Sequence, residues 1–328
     1  MKKLLLLLLI GITGSLVNAQ DFHLSQWDAA AINANPGMTG AFKGDYRVHG
    51  HFRTQWAAIA TRPFTTGLAS FEVNKGKWGW GIQAANFRAG TGAYNVISVL
   101  PAFAWKFPLG KKRHHFLTTG VSAGIFQKSI RISELTFGDE YSAYNGGEFS
   151  NPTQETFGDA NQLNLDVNVG IMYYFAKPNA RVNPFGGLSV YHVNRPSESF
   201  IQDKSNKLPF RYQAIGAARV VITKQIAVIP KVMWQYQEKA QELTFSALGQ
   251  FYLESYDLFI LAGGTYRNKD AAIAEVGLKY GQWVGRFSYD INTSSLSGVT
   301  NGRGGSEISV TYTFNKPDPN PVPTCPKL

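Results

Sequence analysis

Apolar and polar residues alternate along most of this chain. From residue 163 to residue 175 every odd position is apolar, while the even positions begin with Asn164, Asp166 and Asn168. Residues 46–56 repeat the pattern and place on one face Arg47, His49, His51, Arg53 and Gln55. Because successive side chains of a strand point to opposite faces, this period of two predicts strands with one apolar and one polar face.

Strands of this kind recur fourteen times. The pattern predicts them near 46–56, 64–74, 78–88, 94–107, 116–128, 163–175, 184–193, 211–222, 225–236, 242–253, 257–267, 272–281, 283–292 and 306–314. Their length of about ten residues lets a tilted strand cross a bilayer, and aromatic girdles at both interfaces are typical of such barrels. Many of the segments end in aromatic residues such as Trp105 and Trp234. We therefore expect an all-β fold, a transmembrane antiparallel β-barrel of about 14 strands.

The connections predict an orientation for this barrel. The long segments 129–162, 194–210 and 293–305 all follow odd-numbered strands, whereas short connections such as Thr223-Lys224 and Gly281-Gln282 follow even-numbered ones. Outer-membrane barrels have short periplasmic turns and longer extracellular loops. We therefore expect both the N- and the C-terminus to be periplasmic.

The two ends of the chain differ from the barrel region, residues 46–314. Lys2 and Lys3 precede an apolar run that closes with small residues, which predicts a signal peptide at 1–19 and export to the outer membrane. Residues 20–45 form an N-terminal segment that is either a plug or a periplasmic turn. Residues 315–328 form a Pro-rich periplasmic tail that is not expected to pack.

Composition and charge narrow the class of protein. The chain is 44% hydrophobic and only 16% charged, yet no long apolar stretch follows the first residues, which excludes a helical membrane protein. The single cysteine, Cys325, can form no intramolecular disulfide. The net charge of +10 falls to +8 without Lys2 and Lys3. The scattered cations favour a surface that faces solvent or membrane lipid over a nucleic-acid partner.

A barrel of fourteen strands has an interior wider than side chains easily fill. Its lumen therefore holds water, a plug or a ligand segment. The predicted inner face carries charges of both signs, namely Arg47, Arg53, Arg286, Asp166, Asp290 and Glu307. The turn at residues 35–37, Asn-Pro-Gly, allows the preceding residues to fold back under or into the barrel, because Pro fixes φ and Gly admits positive φ.

Two glycine-containing strings resemble catalytic signatures. Residues 120–124, Gly-Val-Ser-Ala-Gly, match a nucleophile elbow, which requires a strand, a sharp turn and a helix. Residues 79–84 fit a loosened dinucleotide fingerprint, which requires a helix N-terminus. Both strings lie in predicted strands, so we expect no catalytic residue. We interpret the glycines at 79 and 81 as relieving crowding beside Trp78 and Trp80.

Candidate metal ligands are few. His49 and His51 share a face, but the two arginines beside them would repel a cation, so hydrogen bonding in the lumen is favoured. His114-His115 point to opposite sides of an extended chain, and the acidic loop around Asp139-Glu140 lacks the spacing of a calcium loop. We expect no metal and no cofactor.

Several strings resemble those of one family. They are Gln20-Asp21-x-His23-x-Ser25-Gln26, Asn35-Pro36-x-x-x-Gly40, Tyr191-His192-Val193-x-Arg195-Pro196, Gly264-x-Tyr266-Arg267, Ser288-Tyr289-Asp290-Ile291, Gly302-Arg303-Gly304-Gly305-x-Glu307 and Tyr312-x-Phe314. Together they resemble the PorP/SprF family of type IX secretion outer-membrane proteins, over essentially the whole chain after residue 19. Two departures are mild: Trp27 and Gly37 stand where the family often has Phe and Ala.

The resemblance implies a barrel without chemistry of its own. It implies binding of a secreted cell-surface adhesin through the adhesin's C-terminal signal region, contact with type IX secretion components including periplasmic peptidoglycan-associated proteins, and a link to gliding motility. The candidate partner-contacting or structural positions are Asn35, Pro36, Gly40, Arg53, His192, Arg195, Pro196, Asp290, Arg303 and Glu307. Arg303 and Glu307 are expected to pair with each other or with Asp290. A passive diffusion or uptake porin is the alternative, and a hydrolase using Ser122 is disfavoured.

Overall fold

The structure is a computed structural model that describes residues 21–57, 59–60, 62–90, 94–142, 148–149, 151–152, 161–197, 206–295 and 297–314. The barrel strands are β1 (Tyr46–Gln55), β2 (Phe64–Lys75), β3 (Trp78–Ala89), β4 (Tyr94–Leu109), β5 (His115–Ser129), β8 (Asn161–Phe175), β9 (Val182–Tyr191), β10 (Arg211–Val221), β11 (Ile226–Gln237), β12 (Ala240–Leu253), β13 (Leu258–Arg267), β14 (Ala271–Tyr280), β15 (Trp283–Asn292) and β16 (Arg303–Phe314). A separate two-stranded sheet consists of β6 (Tyr141–Ser142) and β7 (Glu148–Phe149). Short helices lie at Ala31–Ala34, Pro36–Met38, Ile132–Glu134, Gly138–Glu140, Glu254–Tyr256 and Ser297–Thr300.

The fourteen barrel strands form one closed antiparallel ring. The first strand closes it by pairing with the last, with a register that runs from Tyr46 opposite Phe314 to Thr54 opposite Ser306. Closure leaves no strand edge in the membrane, where each unpaired N–H or C=O group would cost several kcal/mol. The predicted fold class and strand number are confirmed. No helix among the described residues is long and apolar enough to cross a membrane.

One predicted boundary is wrong. The Gly-rich residues 303–305 were expected to form a loop ahead of the last strand, but β16 begins at Arg303. The register between β15 and β16 shifts between Tyr289 and Ile291, which indicates a β-bulge. A Cβ on Gly304 would overlap the carbonyl oxygen of Asp290. The glycine therefore permits the close approach of two strands at the bulge.

The two faces of the barrel differ as the alternation predicts. Phe52 is 50% exposed on the outside, whereas its neighbour Arg53 is 0% exposed on the inside. Aromatic side chains cluster outside at both ends of the strands, as in the Trp78–Trp105 pair, with ring centroids 3.8 Å apart, and the Trp234–Tyr236 pair at 6.2 Å. The apolar outer band between two aromatic belts has the form of a membrane-spanning wall.

We define the loop end of the barrel as the end that carries the connections after β1, β3, β5, β9, β11, β13 and β15, and the turn end as the opposite one. Residues 21–45, the N-terminal segment, pass through the interior from one end to the other. Asp21 lies beside His192 and Arg211 at the loop end, and the backbone N–H of Asp45 donates to the carbonyl oxygen of Phe314 at the turn end, 2.9 Å away. Asp21 and Phe314, the first and last residues that the structure describes, thus lie at opposite ends of the barrel, and the periplasmic location of the two termini stays a prediction.

Candidate functional site in the barrel lumen

The first half of the N-terminal segment meets a charged cluster on the inner wall. The guanidinium of Arg53, on β1, lies 2.7 Å from a carboxylate oxygen of Asp290 on β15 and 2.7 Å from one of Glu307 on β16. The backbone N–H groups of Ser25 and Gln26 donate to the two carboxylate oxygens of Glu307, at 2.8 and 2.7 Å. The cluster therefore joins the segment to β1 and β16, the two strands whose pairing closes the barrel and forms its seam, and to β15 beside them.

Further donors complete this cluster, so its buried acceptors are satisfied. The hydroxyl of Ser25 donates to Asp290 at 2.8 Å and accepts from the guanidinium of Arg267 at 2.9 Å. A ring nitrogen of His51 lies 2.6 Å from Glu307. Charge-assisted bonds of this length are stronger than neutral ones, and a buried charge is tolerated only when it is paired in this way.

A second ion pair fixes the segment three residues later, at Asp28. Its carboxylate accepts from Arg286 of β15 at 3.0 Å and lies 2.9 Å from the ammonium of Lys231 on β11. The two cations compensate the burial of this carboxylate, whose side chain is only 4% exposed. Asp28 is thus held ionised inside the barrel, between strands that do not neighbour each other.

A third contact lies at the loop end, where His192 stands between two carboxylates. Its ring nitrogens are 2.7 Å from Asp21 and 2.8 Å from Asp166, and Arg211 lies 3.1 Å from Asp21. Burial alone would lower the pKa of His192, but the charge of Asp21 and the hydrogen bonds to Asp166 and Asp21 raise it to about 9. A protonated ring donates to both carboxylates and clasps the start of the segment to the wall.

Apolar side chains of the segment also pack against the inner wall. Trp27 is 3% exposed and belongs to a buried cluster. The other members come from the short helices at Ala31–Ala34 and Pro36–Met38, and from the region of β5, β8, β9, β10 and β11. Leu24 packs with Leu68 and Ala85 on the opposite side of the lumen. The segment therefore packs against two opposite sides of the inner wall.

The second half of the segment approaches the wall closely through its backbone. The side-chain amide of Asn35 donates to the carbonyl oxygens of Ile171, at 3.3 Å, and Leu188, at 3.1 Å, while its oxygen accepts from the N–H of Gly37 at 2.8 Å. Asn35 thus caps the short helix at Pro36–Met38 and bonds to the sheet at the same time. Such local capping is a common role of Asn.

Glycines on the wall make this approach possible. A Cβ on Gly79 would overlap the carbonyl oxygen of Thr39, and one on Gly120 would overlap that of Pro36. Our interpretation that Gly79 relieves crowding beside the tryptophans is therefore wrong, because it makes room for the N-terminal segment. Gly120 opens the string that resembles a nucleophile elbow, but Ser122 lies buried within the unbroken strand β5 and accepts from Asn168 at 3.1 Å.

The turn at the end of the segment is also fixed to the wall. Gly40 has a positive φ of 66°, its N–H donates to Glu72 at 3.0 Å, and its carbonyl oxygen accepts from the ammonium of Lys106 at 2.6 Å. A side chain at this position would strain the backbone and meet Gly79.

The structure places the candidate residues in three groups. Arg53, Asp290 and Glu307 form the charged cluster; Asn35, Pro36 and Gly40 belong to the N-terminal segment; His192 forms the clasp with Asp21. Arg195, Pro196 and Arg303 lie apart from these at the loop end. The expected pairing of Glu307 with Arg303 is wrong, because Arg53 and His51 hold Glu307 while Arg303 is exposed at the start of β16.

Sequence reasoning missed Asp21, Asp28 and Arg267 as anchoring residues. The available signal was the presence of Asp21 and Asp28 in the first half of a segment facing a wall with several arginines. His49 and His51 do hydrogen bond in the lumen, with ring nitrogens 3.2 Å apart. Among the described residues, no group of three or more His, Cys, Asp or Glu side chains is arranged to hold a metal ion.

Comparison with solved structures supports the fold alone. The chain resembles the toluene transporter TbuX of Ralstonia pickettii with a TM-score of 0.52 and 9% identity, over 88% of this chain and 94% of that one. It also resembles a deltaS2 mutant of the TodX monoaromatic hydrocarbon channel with a TM-score of 0.50 and 11% identity, over 88% and 94% of the two chains. No curated protein matches the chain by sequence.

Comparison with family models gives a specific match. The model of the type IX secretion system membrane protein PorP/SprF matches residues 16–312, a range that holds the N-terminal segment and all but the last two residues of the barrel. The chain belongs to the PorP/SprF family of type IX secretion system membrane proteins and is an outer-membrane β-barrel component of that system.

Proposed function

We propose that this barrel is a non-enzymatic component of the type IX secretion system that binds a secreted cell-surface adhesin through the adhesin's C-terminal signal region. Membership of the family supports the secretion role. The observation that carries the proposal is the occupied lumen: the N-terminal segment is held on the wall by hydrogen bonds of Ser25 and by ion pairs of Asp28 and Asp21. A barrel filled in this way is suited to holding a partner at its surface.

The same observation argues against the alternative, a passive porin. A solute would have to displace a segment whose carboxylate at Asp28 is only 4% exposed and paired with two cations. Breaking a buried pair by moving one partner away costs about 3–5 kcal/mol, which is too much for a freely open channel. We therefore propose that the segment stays in place while cargo is bound.

Cargo binding is proposed at the loop end. Arg195 is exposed there, and its guanidinium lies 5.3 Å from the ring centroid of Phe210. Pro196 beside it is buried, and its carbonyl oxygen accepts from the N–H of Leu208 at 2.9 Å. Arg303 is the second exposed cation of the candidate set. Arginines held on a rigid frame are suited to planar recognition of carboxylates.

The test compares the surface proteome of cells with and without the gene. We expect a specific adhesin to disappear from the surface in the deletion strain and to return when the wild-type gene is supplied. Charge-reversing Arg195→Glu and Arg303→Glu variants should fail to restore it, whereas Lys239→Glu, an exposed control at the loop end, should restore it. Heat-modifiable gel mobility confirms that each variant forms a barrel. Surface levels of every adhesin unchanged in the deletion strain would refute cargo binding, and loss of all cargo would indicate a core machinery role.

Liposome swelling tests the porin alternative separately. The intact barrel should conduct small solutes no faster than protein-free liposomes, and a variant lacking residues 21–40 should conduct if it still forms a barrel. Swelling with the intact protein at the rate of an open porin would contradict the proposal that the segment fills the lumen.

We also propose that the loop end faces the exterior and the turn end faces the periplasm, where partners such as peptidoglycan-associated proteins and, through them, the apparatus of gliding motility would bind. The predicted tail, residues 315–328, and the predicted signal peptide, residues 1–19, lie outside the described residues. A membrane-impermeant thiol reagent should label Lys239→Cys in intact cells but not Lys112→Cys. The reverse pattern would invert the orientation.

A further inference from the structure

Four neighbouring turns at the turn end carry exposed cations and no acidic residue. The β2–β3 turn contributes Lys75 and Lys77, and the β4–β5 turn contributes Lys111, Lys112 and Arg113. All five are exposed. Cations are scattered along the sequence, but the fold brings these five together at one end of the barrel.

The next two turns extend the same surface. The β8–β9 turn contributes exposed Lys177 and Arg181, and the β10–β11 turn contributes exposed Lys224. The strands that these four turns connect stand side by side in the ring, in the order β2, β3, β4, β5, β8, β9, β10, β11. We call these eight cations the basic arc. On the other half of the turn end, the β12–β13 connection carries Glu254 and Asp257 instead.

The basic arc has no counter-charge of its own. Within the described part of the chain, every ion pair lies elsewhere, in the lumen or at the loop end, and none includes a cation of the arc. Like charges on neighbouring turns repel one another, so an external anion that binds several of them gains more than it would at a single lysine.

The position of the arc relative to the membrane indicates which kind of anion binds it. The outward aromatic side chains of the turn end lie on the same strands directly next to it, among them Trp78, Trp105 and Phe107. Such belts lie at the level of the lipid headgroups. The ammonium of Lys75 lies 5.4 Å from the ring centroid of the outward Tyr46, which brings a cation of the arc onto that belt.

We propose that the basic arc binds the phosphate groups of anionic phospholipids, and so gives one side of the barrel its own layer of bound lipid. The apolar belt accommodates the upper acyl chains while the cations just beyond it neutralise the headgroups. In the orientation proposed above, these are lipids of the periplasmic leaflet, but the binding itself follows from the turn end alone and does not depend on the cargo role.

The test uses the full barrel in nanodiscs of equal parts phosphatidylglycerol and phosphatidylcholine, followed by native mass spectrometry of the lipids retained after transfer to detergent. Each cation near a lipid surface contributes about 1 kcal/mol at most, or roughly fivefold in binding, and screening reduces this. We expect the wild type to retain phosphatidylglycerol selectively. The variant Lys77→Gln/Lys111→Gln/Lys112→Gln should lower that selectivity by about tenfold.

The matched control removes the same charge at the opposite end, as Lys207→Gln/Lys239→Gln/Lys269→Gln, and should retain lipid like the wild type. Equal retention of both lipids by the wild type, or equal losses in the two variants, would overturn the proposal. A third arm offers soluble polyglutamate to barrels in pure phosphatidylcholine. Binding there that requires the arc, without selectivity for phosphatidylglycerol, would overturn it in favour of an acidic protein partner.

Discussion

The two halves of the N-terminal segment are held in the lumen by different physics. The half from Asp21 to Asp28 is fixed by paired charges, as at Glu307 and Arg286. The half from Ala30 to Phe42 is fixed by a side-chain amide, a tight turn and backbone that nearly touches glycines of the wall. The first half depends on charged side chains that pair with the wall. The second half depends on glycines of the wall that carry no side chain.

This difference determines how each half fails. Removing one partner of a buried ion pair leaves the other charge without compensation, which is costly even where the intact pair adds little net stability. Adding a methyl group where two backbones meet forces a shift of the segment or of the strand. Single substitutions can therefore test the two halves separately, with exposed positions of the same residue type as controls.

The largest effect is expected from Arg53→Met, which removes the centre of the charged cluster. Asp290 and Glu307 would then both lose a partner that lies 2.7 Å away. We expect the free energy of unfolding to fall by about 3–5 kcal/mol, measured by guanidinium titration of the barrel refolded in liposomes.

The matched control is Arg88→Met, because Arg88 is exposed on the outer face of β3. It should change the unfolding midpoint little. If the two variants were equally stable, the ion pairs of Arg53 would not anchor the barrel seam, and the charged half of the segment would be held by its apolar contacts alone.

A smaller effect is expected from Gly120→Val, which tests the close-packed half. The added side chain would meet the backbone at Pro36, so we expect a loss of about 1–3 kcal/mol in the free energy of unfolding, together with proteolytic cleavage of the displaced segment. Gly50→Val is the control, since nothing lies within 4 Å of a Cβ on that outward glycine. A destabilisation of the same size in both would attribute the effect to the strand and not to the segment.

The alternation made the wall of the barrel predictable. A period of two assigns Arg53 and His51 to the inner face whatever the rest of the chain does, because the pleat of a strand imposes it. The number of strands follows from the same count, and closure follows from the bilayer. None of these inferences required knowledge of which residues lie opposite one another.

The partners inside the lumen could not be predicted in the same way. Arg53 and Glu307 are 254 residues apart, and only the closed register brings them together. The N-terminal segment has no period at all, so nothing in β3 or β5 indicates that Gly79 and Gly120 lie under it. Local pattern therefore predicts the faces of the barrel, while the contacts across its lumen depend on the path of a segment whose sequence has no regular period.

The smallest effect is expected from the pH dependence of the clasp at the loop end. The pKa of His192 is raised to about 9 in the folded barrel, above the value of about 6.5 for an unperturbed His. Its contribution to stability is therefore fully present below about pH 6.5 and is lost as the pH rises through 9. The groups that face it are Asp21 and Asp166, with Arg211 and Lys128 acting on Asp21.

Since the side chain of Asp21 is 23% exposed, solvent screening reduces the size of this effect, and we expect about 1–2 kcal/mol between pH 6 and pH 10. The measurement compares the guanidinium midpoints of the wild type and His192→Asn, a residue that accepts the positive φ of 59° found at this position. The two proteins should differ at pH 6 and converge at pH 10. A difference that stays constant across this range would mean that His192 holds Asp21 by its shape and not by its charge.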